Sequence, residues 1–245
     1  MIDARAFYEG YYQDVRDEFR RWRLLGGVEK ANSVLALTTG LEVQRVIDIG
    51  SGTGALLQLL SPIRPDWQFA ALEVAPSAVA EIRALHLPNV AVTLFDGDLI
   101  PFRRHAFDLA ILSHVVEHLP NPAVLIREAA RVARAVIIEV PVEGTPALKA
   151  IAWLRKRTGR GRVPNALGHL QFCSRRGWDQ LFADAGLTVQ RRRQYVIPEE
   201  VLLFGKRGRT LLKERAKLVA QKTAGNSRWG DFYYSHYAVL AGPKQ

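Results

Sequence analysis

Between Val46 and Gly54 the chain reads Val-Ile-Asp-Ile-Gly-Ser-Gly-Thr-Gly, an apolar run that stops on three glycines in five residues. Val46, Ile47 and Ile49 are β-branched and suit a buried strand, placed at Val43–Ile49. Glycines let the backbone take positive φ and approach a ligand closely. A helix over Ala55–Leu60 then turns its free N–H groups toward the same point, before Ser61-Pro62 breaks it. A strand, a glycine turn and a helix in this order predict the opening of a parallel α/β sheet.

The rest of the chain keeps that rhythm. Strands are expected at Gln68–Val74, Val90–Phe95, Phe107–Ser113 and Ala135–Val140, with helices at Ala78–Leu85 and around Pro122–Arg131. Ahead of them, Phe7, Tyr11, Val15, Phe19 and Trp22 recur every three or four residues as a helical stripe, and a second helix covers 28–38. After Pro141 the pattern breaks into a glycine- and proline-bearing stretch, read as an insertion over 142–170. It resumes with a helix at Ser174–Ala185, a strand at Leu187–Val196, a basic helix near Gly208–Thr223 and a last strand at Phe232–Leu240. The expected organisation is one domain over 1–245: N-terminal helices (1–42), a ligand-binding half (43–141), a lid-like insertion (142–170) and a C-terminal part (171–245).

Charge narrows the function classes. The chain of 245 residues has a formal net charge of +10, unevenly distributed. Residues 1–148 hold 14 basic and 18 acidic side chains, whereas 149–245 hold 20 and 6. The basic half suits an anionic acceptor, a nucleic acid or an anionic membrane. No apolar run reaches the ~18 residues of a membrane span, and the N-terminus is too charged for a signal peptide, so a cytoplasmic protein is expected. A single cysteine, Cys173, excludes an intramolecular disulfide and a zinc site built on two thiolates.

Three acids accompany the glycine loop. Asp48 lies inside the first strand. Glu73 ends the second, about 20 residues on, where a carboxylate accepts ribose hydroxyls. Asp98 follows the third, in Phe-Asp-Gly-Asp-Leu-Ile-Pro-Phe, placed to accept from an exocyclic adenine amine. With VIDIGSGTG, LEVAP, GDLIPF and FDLAILSHVVEHL in this order over roughly 44–190, the chain resembles the class I S-adenosylmethionine-dependent methyltransferases. The resemblance implies a Rossmann-like α/β fold, a seven-stranded mainly parallel sheet with helices on both faces and its last strand antiparallel, a role that Phe232–Leu240 fits. It implies a cofactor site for S-adenosyl-L-methionine, with S-adenosyl-L-homocysteine as product. Gly50, Ser51, Gly52 and Gly54 would pack on the amino-acid end, Glu73 would hold the ribose, Asp98 and Leu99 the adenine, and Ser113 would line the site through its backbone; Asp48 and Val74 are further candidate cofactor contacts. The GDLIPF segment is shorter than the family's usual stretch.

Methyl transfer is an in-line displacement that needs an aligned acceptor and, for a hydroxyl, a proton acceptor. At the end of the fourth strand stands Ser113-His114-Val115-Val116-Glu117-His118-Leu119-Pro120. If this stretch were helical, His114, Glu117 and His118 would share one face. Glu117 and His118 are the candidate catalytic residues, as base or for positioning. The chain also resembles ubiquinone-pathway O-methyltransferases and small-RNA 2′-O-methyltransferases in a carboxylate-x-x-Glu-His stretch that goes with a divalent cation in those enzymes. His114 here replaces the first carboxylate, and His169 falls where the RNA enzymes have a further histidine. By that resemblance His114, Glu117, His118 and His169 form a conditional metal set, richer in imidazole than magnesium prefers. A structural role for the Glu-His pair is a third reading. Tyr12, Trp153 and His169 are the candidate substrate contacts. Trp153 lies on the basic amphipathic stretch Ala147–Arg157, which suits an anionic or lipid-like acceptor or a peripheral membrane contact.

The sequence thus predicts a methyltransferase acting on a hydroxyl, rather than an amine, of a small or medium-sized metabolite: a sugar, an isoprenoid or phenolic head group, or a natural-product scaffold. A metal-assisted RNA ribose 2′-O-methyltransferase is the first alternative, although no RNA-binding module is recognisable. A non-catalytic, regulatory S-adenosylmethionine binder is the second.

Overall fold

The computed structural model describes residues 4–12, 16–97, 99–142, 168–224 and 235–244. Two helices, α1 (Ala4–Tyr12) and α2 (Asp17–Leu37), precede β1 (Arg45–Ile49), α3 (Ala55–Ile63), β2 (Gln68–Glu73), α4 (Pro76–Ala84) and β3 (Val90–Leu94). Then come β4 (Phe107–Ser113), a single 3₁₀ turn (Val116–His118), α5 (Pro122–Val132) and β5 (Ala133–Pro141). Beyond the insertion the described elements are α6 (Arg175–Asp184), β6 (Leu187–Val196), the short α7 (Glu199–Leu203), α8 (Gly208–Ala224) and β7 (Ser235–Pro243).

The strands form one sheet in the order β3-β2-β1-β4-β5-β7-β6. β1 to β5 are mutually parallel, and β7 runs antiparallel between β5 and β6. The seven-stranded Rossmann-like sheet is therefore as expected, with its last strand inserted one place in from the edge.

Side-chain alternation divides the core. Ile47, Ile49, Ala110, Leu112, Val136 and Ile138 pack with α5 and with Trp178 and Phe182 of α6. Val46, Leu109, Ile111 and Ile137 pack with α2, α3 and Trp67 on the opposite face. Along this second face the rows end, at the carboxyl edge, in Asp48 and Glu139, buried at 2% exposure each. The face under α2 thus turns from apolar to acidic where parallel α/β sheets place their ligands.

Two local expectations fail for packing reasons. The break expected near residue 28 is absent, and α2 runs unbroken through Gly26 and Gly27. Gly27 is buried, and a Cβ there would stand 2.9 Å from Leu59 Cδ1, so close contact with α3 explains a glycine inside a helix. Likewise α3 continues through Pro62, which sits in its last turn. The apolar stripe from Phe7 to Trp22 is divided between α1 and α2, and Val15 lies outside the described residues. The arginine triplet alternates as a strand requires. Arg191 donates to the Leu37 and Thr39 carbonyls at the end of α2, and Arg193 pairs with Glu29 at 2.7 Å. Arg192 turns the other way, to Tyr237 and Asp179.

Candidate active site

The glycine loop is built around positive φ. Gly50, Gly52 and Gly54 have φ of 74°, 56° and 76°. A Cβ on Gly50 would stand 2.7 Å from Val115 Cγ2, so the loop also needs the missing side chain for room. The Gly50 and Ser51 N–H groups both donate to the Leu72 carbonyl, which ties the loop to β2. The Ser51 hydroxyl donates to the Asp48 carbonyl at 3.0 Å.

Glu73 is held by three backbone N–H groups, from Gly52 (2.7 Å), Val74 (2.8 Å) and Ala75 (3.2 Å). Burial raises its pKa against the pull of those donors. Asp48 is pushed up to about 7, first by burial and then by Glu73, although Lys30 and Arg23 oppose the rise. Its Oδ2 is buried without a hydrogen-bond partner. Val74 flanks Gly97, whose added Cβ would lie 3.5 Å from Val74 Cγ1. Leu99 is 69% exposed beside buried Ile100, and Asp98 lies outside the described residues. Three positive-φ glycines, a carboxylate on the second strand and an orphaned buried acid on the first together fit a nucleoside-linked amino acid such as S-adenosylmethionine.

The loop is roofed by α1 and α2. Glu9 of α1 accepts from the Ser77 N–H (3.1 Å) and hydroxyl (3.0 Å) at the start of α4, which seats α1 there. Arg20 of α2 clamps Glu81 of α4 with bonds of 2.8 and 2.9 Å. As a result Tyr12, 8% exposed, stands with its hydroxyl 3.0 Å from a Cβ built on Gly52. Burial pushes its phenol up to about 12. Tyr8, one turn earlier, meets the His118 ring edge-on at a centroid distance of 5.9 Å.

The segment after β4 is not a helix carrying three aligned side chains. His114 takes a left-handed backbone (φ 58°), and only Val116–His118 form a 3₁₀ turn. The chain at 168–171 zips onto this turn: the Leu170 and Gln171 N–H groups donate to the Glu117 carbonyl at 2.8 and 3.0 Å. The Gln171 side chain adds a bond to the Leu119 carbonyl at 2.8 Å. His169, 5% exposed, is thereby set against His118, ring centroids 4.8 Å apart. One ligand atom from each of Glu117, His118 and His169 lies within 4.8 Å of the others.

His114 stands outside that group. Its Nδ1 lies 2.9 Å from Glu117 Oε1 and its Nε2 3.4 Å from Glu139 Oε1. Burial and Lys30 lower its pKa, but the two carboxylates outweigh them and raise it. The expected four-ligand set is therefore three groups with His114 behind them. Two imidazoles and a carboxylate fit a transition-metal ion such as zinc, iron or manganese better than magnesium.

Glu117 is fully buried, and neither carboxylate oxygen makes a hydrogen bond of ordinary geometry. Burial alone would neutralise it, yet His114 and His118 hold its pKa below the usual value. The His118 pKa is lowered, first by burial, against the pull of Glu117. Ser113 donates weakly to Glu139 (3.5 Å), and Tyr195 donates to the same oxygen (3.0 Å). His236 stacks on Tyr195 and stays neutral through burial.

Three charged groups were missed from sequence: Arg23, Lys30 and Glu139. Arg23, Gly27 and Lys30 are spaced four and three apart, so the cations share the inward face of α2, a readable signal once α2 is one helix. Burial pushes Lys30 down to about 8. Glu139 is held at about 2, because His114 and Lys30 overcome the effect of burial. A depressed carboxylate contributes stability above its ordinary value of 4.5 that is lost as pH falls from there toward 2. Glu139→Gln is expected to flatten the fall in melting temperature between pH 5 and pH 3, by several degrees relative to wild type. Parallel acid melting curves for the two proteins would contradict this.

Trp153 and residues 143–167 of the lid-like insertion lie outside the described residues. No described helix is long and apolar enough to cross a membrane.

Sheet order, glycine loop and flanking acids define a class I S-adenosylmethionine-dependent methyltransferase. The model of the family described as "Methyltransferase domain" matches residues 11–192, and the chain belongs to that family. No curated protein sequence gives a significant match. Among solved structures, the chain is similar to one in the complex between the Haloferax volcanii Trm112 methyltransferase activator and a methyltransferase, with a TM-score of 0.61 at 16% identity, covering 95% of this chain and 100% of that one. A SAM-dependent methyltransferase from Aquifex aeolicus gives 0.54 at 18% identity, over 86% and 88% of the two chains. Haemonchus contortus phosphoethanolamine N-methyltransferase 2, solved with phosphomonomethylethanolamine and S-adenosylhomocysteine, gives 0.57 at 14%, over 89% of this chain and 53% of that one. At these identities the likeness shows the fold.

Proposed function

We propose that this enzyme transfers the methyl group of S-adenosylmethionine to a hydroxyl of a small or medium-sized metabolite. The amino-acid end of the donor rests on Gly50, Ser51, Gly52 and Gly54, and its ribose on Glu73. The acceptor enters between Tyr8 and the Glu117–His118–His169 group. The observation that carries the reading is that group itself: a fully buried carboxylate held in its ionised form by His114 and His118, within reach of the His118 and His169 imidazoles. A neutral amine is nucleophilic without help. A hydroxyl must lose its proton as the new bond forms, and a positioned base supplies about 10²–10⁴ in rate. His118 takes the proton and Glu117 stabilises the resulting imidazolium.

The same group favours a second version of this chemistry. Glu117, His118 and His169 would hold a divalent ion, which would lower the pKa of a hydroxyl by Lewis-acid action. Ribose 2′-O-methylation of RNA is weaker, since Arg191, Arg192 and Arg193 are engaged in contacts within the chain. The test is transfer from methyl-tritiated S-adenosylmethionine to a catechol, a short RNA and a primary amine, with product linkage read by mass spectrometry. Label is expected in a methyl ether on the catechol. Labelling of the amine with both hydroxyl acceptors inert would overturn the proposal, and label on RNA that weakens steeply with salt would favour the RNA reading.

A further inference from the structure

Among the described residues, the glycine loop has a cationic neighbour in Arg23 that forms no salt bridge. Arg23, on the inward face of α2, reaches over Gly52: a Cβ built there would lie 2.8 Å from Arg23 Nη2. Its Nε is buried without a hydrogen-bond partner. Among the described residues no carboxylate forms a salt bridge with it. Glu73, at the end of β2, already spends both oxygens on three backbone N–H groups. A buried guanidinium donor without an acceptor is costly, and such groups persist where a ligand completes them.

A second orphan beside the loop is complementary. Asp48 Oδ2 is a buried acceptor without a donor, close enough to Arg23 for their charges to interact. A cationic donor and an anionic acceptor flanking one loop match a zwitterion: a carboxylate toward Arg23 and an ammonium toward Asp48. The surrounding elements fix this geometry. Arg20 anchors α2 through Glu81, and Arg193 anchors it through Glu29, so the guanidinium is carried on a braced helix.

We propose that Arg23 is the specificity-determining residue for the α-carboxylate of the methyl donor, so that the enzyme selects S-adenosylmethionine over the same sulfonium lacking that carboxylate. This rests on the cofactor site lying at the glycine loop and not on the identity of the acceptor.

Isothermal titration of the full chain with S-adenosylmethionine and with decarboxylated S-adenosylmethionine tests it. Wild type should bind the former roughly 10- to 100-fold more tightly, the range expected of a charge-assisted bond to a carboxylate. Arg23→Gln should lose that factor for S-adenosylmethionine while holding the decarboxylated ligand to within about twofold, and Arg23→Lys should recover part of it. Equal weakening toward both ligands would reduce Arg23 to a support for the loop and overturn the assignment. Undiminished S-adenosylmethionine binding in Arg23→Gln would overturn it as well. A wild type that binds neither ligand would remove the cofactor site itself, and this assignment with it.

Discussion

The double substitution Glu117→Gln/His118→Gln is expected to lower methyl transfer by about 10²–10⁴, the usual worth of general acid–base catalysis, with S-adenosylmethionine affinity nearly unchanged. Neither side chain is among those that frame the glycine loop. Both lie beyond the end of β4, in the 3₁₀ turn onto which residues 168–171 are zipped. Glutamine keeps the volume of Glu117, so the change removes a charge without opening a cavity at a fully buried site. A purely structural Glu117 would give a different pattern, in which the melting temperature falls and turnover per folded molecule survives. Near-wild-type turnover in the folded double variant would remove the acid–base assignment.

Gly50→Ala should be the most damaging single change in the loop. Two penalties coincide there: a φ of 74°, costly for an L side chain, and a Cβ 2.7 Å from Val115 Cγ2. Left-handed strain and overpacking together suggest a loss of roughly 2–5 kcal/mol. Gly186 is the internal control, because its φ is 86° but nothing lies within 4 Å of an added Cβ. Gly186→Ala should therefore cost only the dihedral term, about 1–2 kcal/mol. Pairing Gly50→Ala with Val115→Ala should relieve the contact while leaving the strain. Denaturant unfolding of the four proteins measures this directly, and equal losses at Gly50 and Gly186 would contradict the crowding argument. S-adenosylmethionine binding should be lost along with the loop in Gly50→Ala and retained in Gly186→Ala.

The parts of the fold that the sequence revealed are those set by local pattern. Val46–Gly54 announced a strand, a turn and a helix because β-branched residues and positive-φ glycines have few other uses in that order. The breaks proposed near residue 28 and at Ser61-Pro62 failed because tertiary contact outweighed local preference. Gly27 is small to admit Leu59, and Pro62 is tolerated in a last helical turn. The candidate site was legible in composition but not in arrangement. Glu117 and His118 meet His169 only through backbone bonds between segments some fifty residues apart. His114 was expected on a shared helical face, but a left-handed residue at the strand end turns its ring toward Glu139. Arg23, Lys30 and Glu139 carried no motif. Their roles depend on α2 crossing the carboxyl edge of the sheet, which no local window contains. Part of the basic excess beyond residue 148 has a similar explanation, since Arg191 and Arg193 brace α2.

The most direct test of the central claim is a crystal structure of the enzyme with S-adenosylhomocysteine and a hydroxylated acceptor. The account predicts the ribose hydroxyls on Glu73 and the acceptor oxygen between the sulfur and the Glu117–His118–His169 group. An acceptor oxygen reaching the sulfur from elsewhere, with those three side chains remote from it, would contradict the account.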